Sequence, residues 1–290
     1  MVADKILGGR LLVVAFEGWN DAGDAASNAV VALRESLAVR PIAAVDPEDY
    51  FDYQFNRPSV KIDDDGSRSI VWPGATVFGP EDEGDIYLLL GTEPSRNWKI
   101  FASEIVETIE DRSIEGVIFL GSMLADVPHT RPISIFITSE NERLRKDFEL
   151  ERSTYEGPVG ILSVLAEACE KADVPTLSVW ASVPHYVHSV PSPKATLALL
   201  DKLQALIGVT VPRDELEVQA TAWEENIDTL AGEDEEMASY IAQLEQARDT
   251  VDSPEASGEA IAQEFEKYLR HRGDGRDGRA DGRDGRGGRG

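Results

Sequence analysis

The chain has 290 residues, 42% of them hydrophobic, enough to bury a sizeable core, and its single cysteine can form no internal disulfide. Against 28 Lys and Arg stand 54 Asp and Glu, a formal charge of −26, which argues against nucleic acid as a partner because phosphate neutralisation needs clustered basic residues. No apolar run approaches the ~20 residues that span a bilayer and no signal-type leader is present, so a cytoplasmic protein with no membrane partner is expected.

In chain order, Leu11 to Phe16 is an apolar strand that runs into an acidic, glycine-punctuated loop and then a helix over Asp21 to Ala38. Gly18 to Gly23 has the glycine spacing of a phosphate loop but lacks the following Lys-Ser/Thr, and Glu17, Asp21 and Asp24 would repel a phosphate. Asn20 or Asp21 is expected to cap the helix. A strand at Ile42 to Val45 precedes a hairpin, Val60 to Ile62 and Ser69 to Trp72 around an Asp63-Asp64-Asp65-Gly66 turn. The strand Ile86 to Leu90 leads through a loop to a helix over Asn97 to Asp111, capped near Ser95 or Asn97. Val117 to Leu120 is a strand followed by a loop, Gly121 to Pro132, that carries Asp126, His129 and Arg131.

The strand Ile133 to Thr138 comes next, then helices over Asn141 to Glu149 and Gly157 to Ala172, the latter packing Cys169 as a small hydrophobe. Thr176 to Val183 is a strand, Val183 to Pro193 a loop with His185 and His188, and Lys194 to Ile207 a helix. This alternation predicts a three-layer α/β domain over 1–212 with a mixed, largely parallel sheet and helices on both faces. An acidic helical extension follows over 213–269, with Gly232 as a break and Ser253-Pro254 opening its last helix. The low-complexity Gly/Asp/Arg tail over 270–290 is expected to be disordered and without a fixed partner.

In a largely parallel sheet the strand-end loops gather on one edge, so Trp19, Asn20, Asp21, Asp126, His129 and His185 are the candidate ligand or partner rim. Ser122, His129 and Asp126 supply the residue types of a hydrolase, but no Gly-x-Ser-x-Gly elbow is present and no catalytic residue is assigned. His185 and His188 lack a Cys or Glu at ligand spacing, so neither a metal nor a cofactor is expected. His185-Tyr186, Arg96 and Arg131 are read as structural ties.

The segments GWNDAGDAAS, GVIFLGSMLADVPHTRP and YEGPVGILSVLAEACEKADVPTLSVWASVPHYVHSVPSPKATLALLDKL lie in order over residues 10 to 207. Together they resemble the proteasome assembly chaperone family, in the class of its second member as it occurs in actinobacteria. The resemblance implies an α/β fold similar to purine nucleoside phosphorylases, a homo-oligomer such as a trimer, and help in proteasome assembly by binding unassembled subunits. It implies no catalytic residue. Members often dock through a C-terminal hydrophobic-Tyr-any tripeptide, whereas this chain ends Gly288-Arg289-Gly290. Two readings follow: a non-enzymatic oligomeric interaction protein, or a protein or enzyme taking a nucleoside-like small molecule in a phosphorylase-like pocket at the strand ends.

Overall fold

The computed structural model describes residues 9–251 apart from 64, 151, 154, 188 and 189. Nine strands are present in this span: β1 (Leu11–Glu17), β2 (Val39–Ala44), β3 (Ser59–Ile62), β4 (Arg68–Val71), β5 (Ala75–Pro80), β6 (Ile86–Thr92), β7 (Gly116–Ala125), β8 (Ile135–Thr138) and β9 (Thr176–Pro184). The helices are α1 (Ala25–Ser36), α2 (Pro47–Tyr50), α3 (Trp98–Asp111), α4 (Glu142–Asp147), α5 (Ile161–Lys171), α6 (Pro193–Ile207), α7 (Asp214–Glu233) and α8 (Glu235–Val251).

Seven strands form one sheet in the order β2-β5-β6-β1-β7-β9-β8. The four central strands, β6, β1, β7 and β9, are parallel, while β5 and β8 run antiparallel to β6 and β9 and β2 pairs antiparallel with β5. β1 is buried on both faces, and its side chains alternate between two cores as the period of a strand requires. Leu11, Val13 and Ala15 pack against α1 and α6; Leu12, Val14 and Phe16 pack against α3 and α5. Each fully buried Leu, Val or Phe contributes roughly 1.5–3 kcal/mol, so these two cores hold the three layers together.

The hairpin forms as expected, β3 pairing with β4 in a separate two-stranded sheet. Other boundaries differ. The helix expected from Asp21 starts at Ala25, after a 3-10 turn at Ala22–Asp24 in which Gly23 takes φ +61° and backs onto Ser192. β5 and α2 were not foreseen. β7 continues through the segment expected to begin a loop, pairing with β9 as far as Ala125 and Pro184. Asn97 stands at the N-cap of α3 as expected, its carbonyl accepting the Ile100 and Phe101 N–H groups, but its side chain does not cap the helix: Asn97 Nδ2 donates to the Asp49 carbonyl and Ser95 Oγ to Asn56 Oδ1. The break between α7 and α8 falls at Asp234, whose carboxylate accepts the Glu236 and Met237 N–H groups, and α7 runs through Gly232. The helix foreseen from Ser253 and the tail lie outside the described residues.

Candidate functional site

A cavity of about 450 Å3 opens where the sheet outruns its helical cover. α5 turns Ile161, Leu165 and Cys169 into the core, while Ser163, Ala166, Glu167 and Glu170 line the cavity and Leu162 lies between, buried in the core and at the cavity wall. Opposite them is the β8–β9 edge. Val179 and Ala181 point into the α1/α6 core, so Ser178 and Trp180 point the other way, beside the cross-strand partner Thr138. Two glycines shape the space. A Cβ on Gly121 would lie 2.5 Å from the six-membered ring of Trp180, so the indole rests on bare β7 backbone. A Cβ on Gly160 would meet the Asn20 amide at 2.2 Å, so that amide fills the notch before α5.

Trp19 and Asn20 close the cavity just beyond the carboxyl end of β1, where the Ser122 N–H of β7 donates to the Asn20 carbonyl. Asn20 Nδ2 donates to Glu93 Oε1 at 3.3 Å, and the same oxygen accepts the Ile161 N–H at 2.8 Å. Glu93 thus serves the first turn of α5, where a carboxylate is favoured by the helix dipole. Burial nevertheless lifts its pKa above the ordinary value, against the pull of these bonds. Asp21 sits on the other face of the sheet, 5% exposed. Its Oδ1 accepts from Ala26 N–H at 2.7 Å, Ser27 N–H at 3.2 Å and Ser122 Oγ at 3.3 Å, capping α1 as expected, while Oδ2 has no hydrogen-bond partner among the described residues. Burial pushes the Asp21 pKa up to about 6.

A second cluster lies under the C-terminal helices. His129 donates its N–H to Tyr186 Oη at 2.7 Å, its Nδ1 lies 2.9 Å from the same oxygen, and its Nε2 lies 3.1 Å from Asp228 Oδ1 on α7. Arg131 grips Asp249 on α8 with two bonds of 2.7 and 2.8 Å and reaches Glu245 at 3.2 Å. Its guanidinium is held firmly charged by those acids and the Asp249 pKa is lowered in turn. Lys194 donates to the His129 carbonyl and to Glu224, and Thr130 donates to Glu245. His185 Nδ1 lies 3.3 Å from Asp126 Oδ1, which Tyr240 Oη approaches at 3.4 Å. Beside these ties Trp223 and Ile227 pack on Val187. The acidic helices therefore use their carboxylates to dock on a histidine, an arginine and a lysine of the sheet domain.

With this geometry in hand, the decisive comparison is with protein families: the PAC2 family model matches residues 15–231. The chain belongs to the PAC2 family. It is 44% identical to a crystallised PAC2 family protein from Streptomyces avermitilis (TM-score 0.72, covering 80% of this chain and 99% of that one). It is 41% identical to a Mycobacterium tuberculosis proteasome-assembly chaperone homologue (TM-score 0.70, covering 80% and 99%). A Mycobacterium tuberculosis protein of unknown function shares 27% identity (TM-score 0.78, covering 91% and 90%). No curated protein matches the chain.

Within this PAC2 fold the six candidate residues divide. Trp19 and Asn20 line the cavity; Asp21 is buried beneath α1; Asp126, His129 and His185 stand under α7 and α8. His188 lies outside the described residues. Arg96 is a structural tie, donating to the Glu48 and Asp49 carbonyls. Among the described residues, no cluster of three or more His, Cys, Asp or Glu could hold a metal ion, and no helix is long and apolar enough to cross a membrane. Trp180, Ser178, Thr138 and Tyr155 were not foreseen as cavity residues. For Ser178 and Trp180 the signal was the alternation Thr176, Ser178, Trp180, Ser182 against Leu177, Val179, Ala181, Val183, which marks a more polar strand face opposite the apolar one.

Proposed function

We propose that the protein is a non-enzymatic, homo-oligomeric interaction protein of the cytoplasm that assists proteasome assembly by binding unassembled subunits. Kinship supports the proteasome connection, through the 41% identical chaperone homologue. The observation that carries the interaction role is the β3–β4 hairpin. Val60 and Ile62 share one face with Ile70, which pairs with Val60, and with Arg68, which pairs with Ile62; Trp72 follows β4 and packs its ring on Tyr53. Val60, Ile62 and Ile70 are 55%, 69% and 60% exposed, and Trp72 beside them is 48% exposed. A two-stranded ribbon is marginal in water by itself, and an exposed apolar face on it is what a docking partner would cover.

Co-expression with the proteasome α- and β-subunits of the same organism, followed by capture and native mass measurement, tests this reading. Unassembled α-subunits should co-purify with the native chain, and Ile70→Asp should reduce their recovery while leaving the thermal unfolding midpoint unchanged. Recovery of equal amounts by both chains would remove the hairpin from the function, and recovery of no subunit by either would remove the proteasome.

A further inference from the structure

We propose that the cavity between α5 and the β8–β9 edge is a binding site for a small organic cation with a planar apolar body. The volume of about 450 Å3 lies within the range of small-molecule sites, roughly 300–1,000 Å3. Its apolar lining includes Trp19, Tyr155 and Trp180 with Met123 and Leu162, and Thr138, Ser163 and Ser178 place hydroxyl groups at its wall. Trp180 is a preformed platform. Gly121 supports the indole from beneath, so that ordering the ring costs a ligand nothing at the moment of binding.

The sign of the ligand follows from the charged residues. Glu140, Glu167 and Glu170 line the cavity, and among the described lining residues there is no Lys, Arg or His. Glu170 is committed to the Thr176 N–H and hydroxyl, at 2.8 and 2.9 Å. Among the described residues Glu140 pairs with Arg152 at 3.3 Å and Glu167 with Lys171 at 2.5 Å, the side chains of both pairs more than half exposed; Lys99 adds a weaker pull on Glu167. Such pairs are weak and exchangeable, so both carboxylates can turn to a ligand ammonium. A cation is also drawn to the negative faces of the tryptophans and the tyrosine. An anion meets three lining carboxylates whose counter-charges, Arg152 and Lys171, stand outside the lining, in a chain already at −26.

Three indoles of one shape and different charge test the proposal by calorimetry on the full chain: tryptamine, tryptophol and indole-3-acetate. Tryptamine should bind at least about tenfold more tightly than indole-3-acetate, with tryptophol between them. The double variant Glu140→Gln/Glu167→Gln, altered only at exposed side chains, should bring tryptamine down to the level of tryptophol and leave tryptophol unchanged. Trp180→Ala should weaken all three. No heat from tryptamine at about 5 mM, equal affinity for the anion, or a glutamate variant that still prefers the amine would each overturn the site. So would a native mass in which Trp180→Ala dissociates an oligomer that tryptamine leaves intact, since the cavity wall would then belong to a contact between copies.

Discussion

Nε2 of His129, on a side chain with no exposed surface, lies 3.1 Å from Oδ1 of Asp228, 99 residues further along the chain. The Tyr186 hydroxyl accepts the His129 N–H and so has its own proton to give to Nδ1, which leaves the ring proton on Nε2, directed at Asp228. One imidazole thus ties a strand-end loop, a tyrosine and α7 together.

His129→Ala should loosen that junction. The Tyr186 hydroxyl keeps the backbone N–H of residue 129 but loses Nδ1, and Asp228 loses Nε2, a cost of about 1–3 kcal/mol. Asp228→Asn should cost under about 1 kcal/mol, because its side chain is 64% exposed and the amide oxygen still accepts. Hydrogen exchange should report the His129 change as lost protection in α7 and α8 before the central strands; uniform loss across the sheet would show that the helices and the sheet open as one unit.

Asp21 gives the fold a pH dependence of defined sign. Burial raises its pKa from 3.8 to about 6, so between those values the folded chain binds the extra proton. Its contribution is whole below the unfolded value and is lost as pH climbs through the folded one. Asp21→Asn keeps an oxygen for Ala26 and Ser27 and removes the charge. Relative to the native chain it should therefore gain roughly 2–3 kcal/mol on going from about pH 4 to pH 8, measured as the difference between two urea unfolding free energies. A difference that is flat with pH would mean that Asp21 ionises normally.

Two glycine substitutions should have opposite signs. Gly121→Ala drives a Cβ into the Trp180 ring at 2.5 Å and should cost about 1–3 kcal/mol as overpacking, with a changed near-ultraviolet dichroism of the indole. Gly232→Ala, in the last turn of α7 with nothing within 4 Å of the added carbon, should stabilise by about 0.5–1 kcal/mol.

Cys169 should be silent to thiol reagents in the folded protein. It is 1% exposed and burial pushes its thiol up to about 12, so neither access nor thiolate is supplied. Its labelling rate should track unfolding and rise with denaturant; rapid labelling in buffer would place the side chain at the surface.

The strands β1, β6 and β9 were legible because continuous apolar runs have few other uses, and the α/β layering followed from their alternation with helices. β5 was hidden by its own composition. Ala75–Pro80 begins just after Pro73-Gly74 and ends in Gly79-Pro80, a turn-like sequence, yet it pairs on both sides. Gly79 is required there because Ile42 and Tyr87 leave a Cβ only 2.9 and 3.0 Å. Gly121-Ser122 misled in the same way: small residues read as a loop, when the first makes room for Trp180 and the second donates to the Ala22 carbonyl at 2.8 Å. Of the candidate site, Trp19 and Asn20 were found by their place at a strand end. The partners of His129 and Arg131 were not, since nothing local in a sequence names a carboxylate a hundred residues away.

Among the described residues no neighbouring strand takes up the backbone groups on the outer edges of the β3–β4 ribbon, and such edges invite open-ended stacking of like chains. The tip of the ribbon opposes this. Asp65 is held below the ordinary carboxylate range by bonds from Ser67, and Asp63 accepts the Ser67 hydroxyl at 3.3 Å, so Asp65 keeps its charge into mildly acid conditions. Charge at that position is the kind of gatekeeper that disfavours fibre-like growth. The apolar face that would recruit a partner is the same face that would precipitate the protein, and a few turn residues separate the two outcomes.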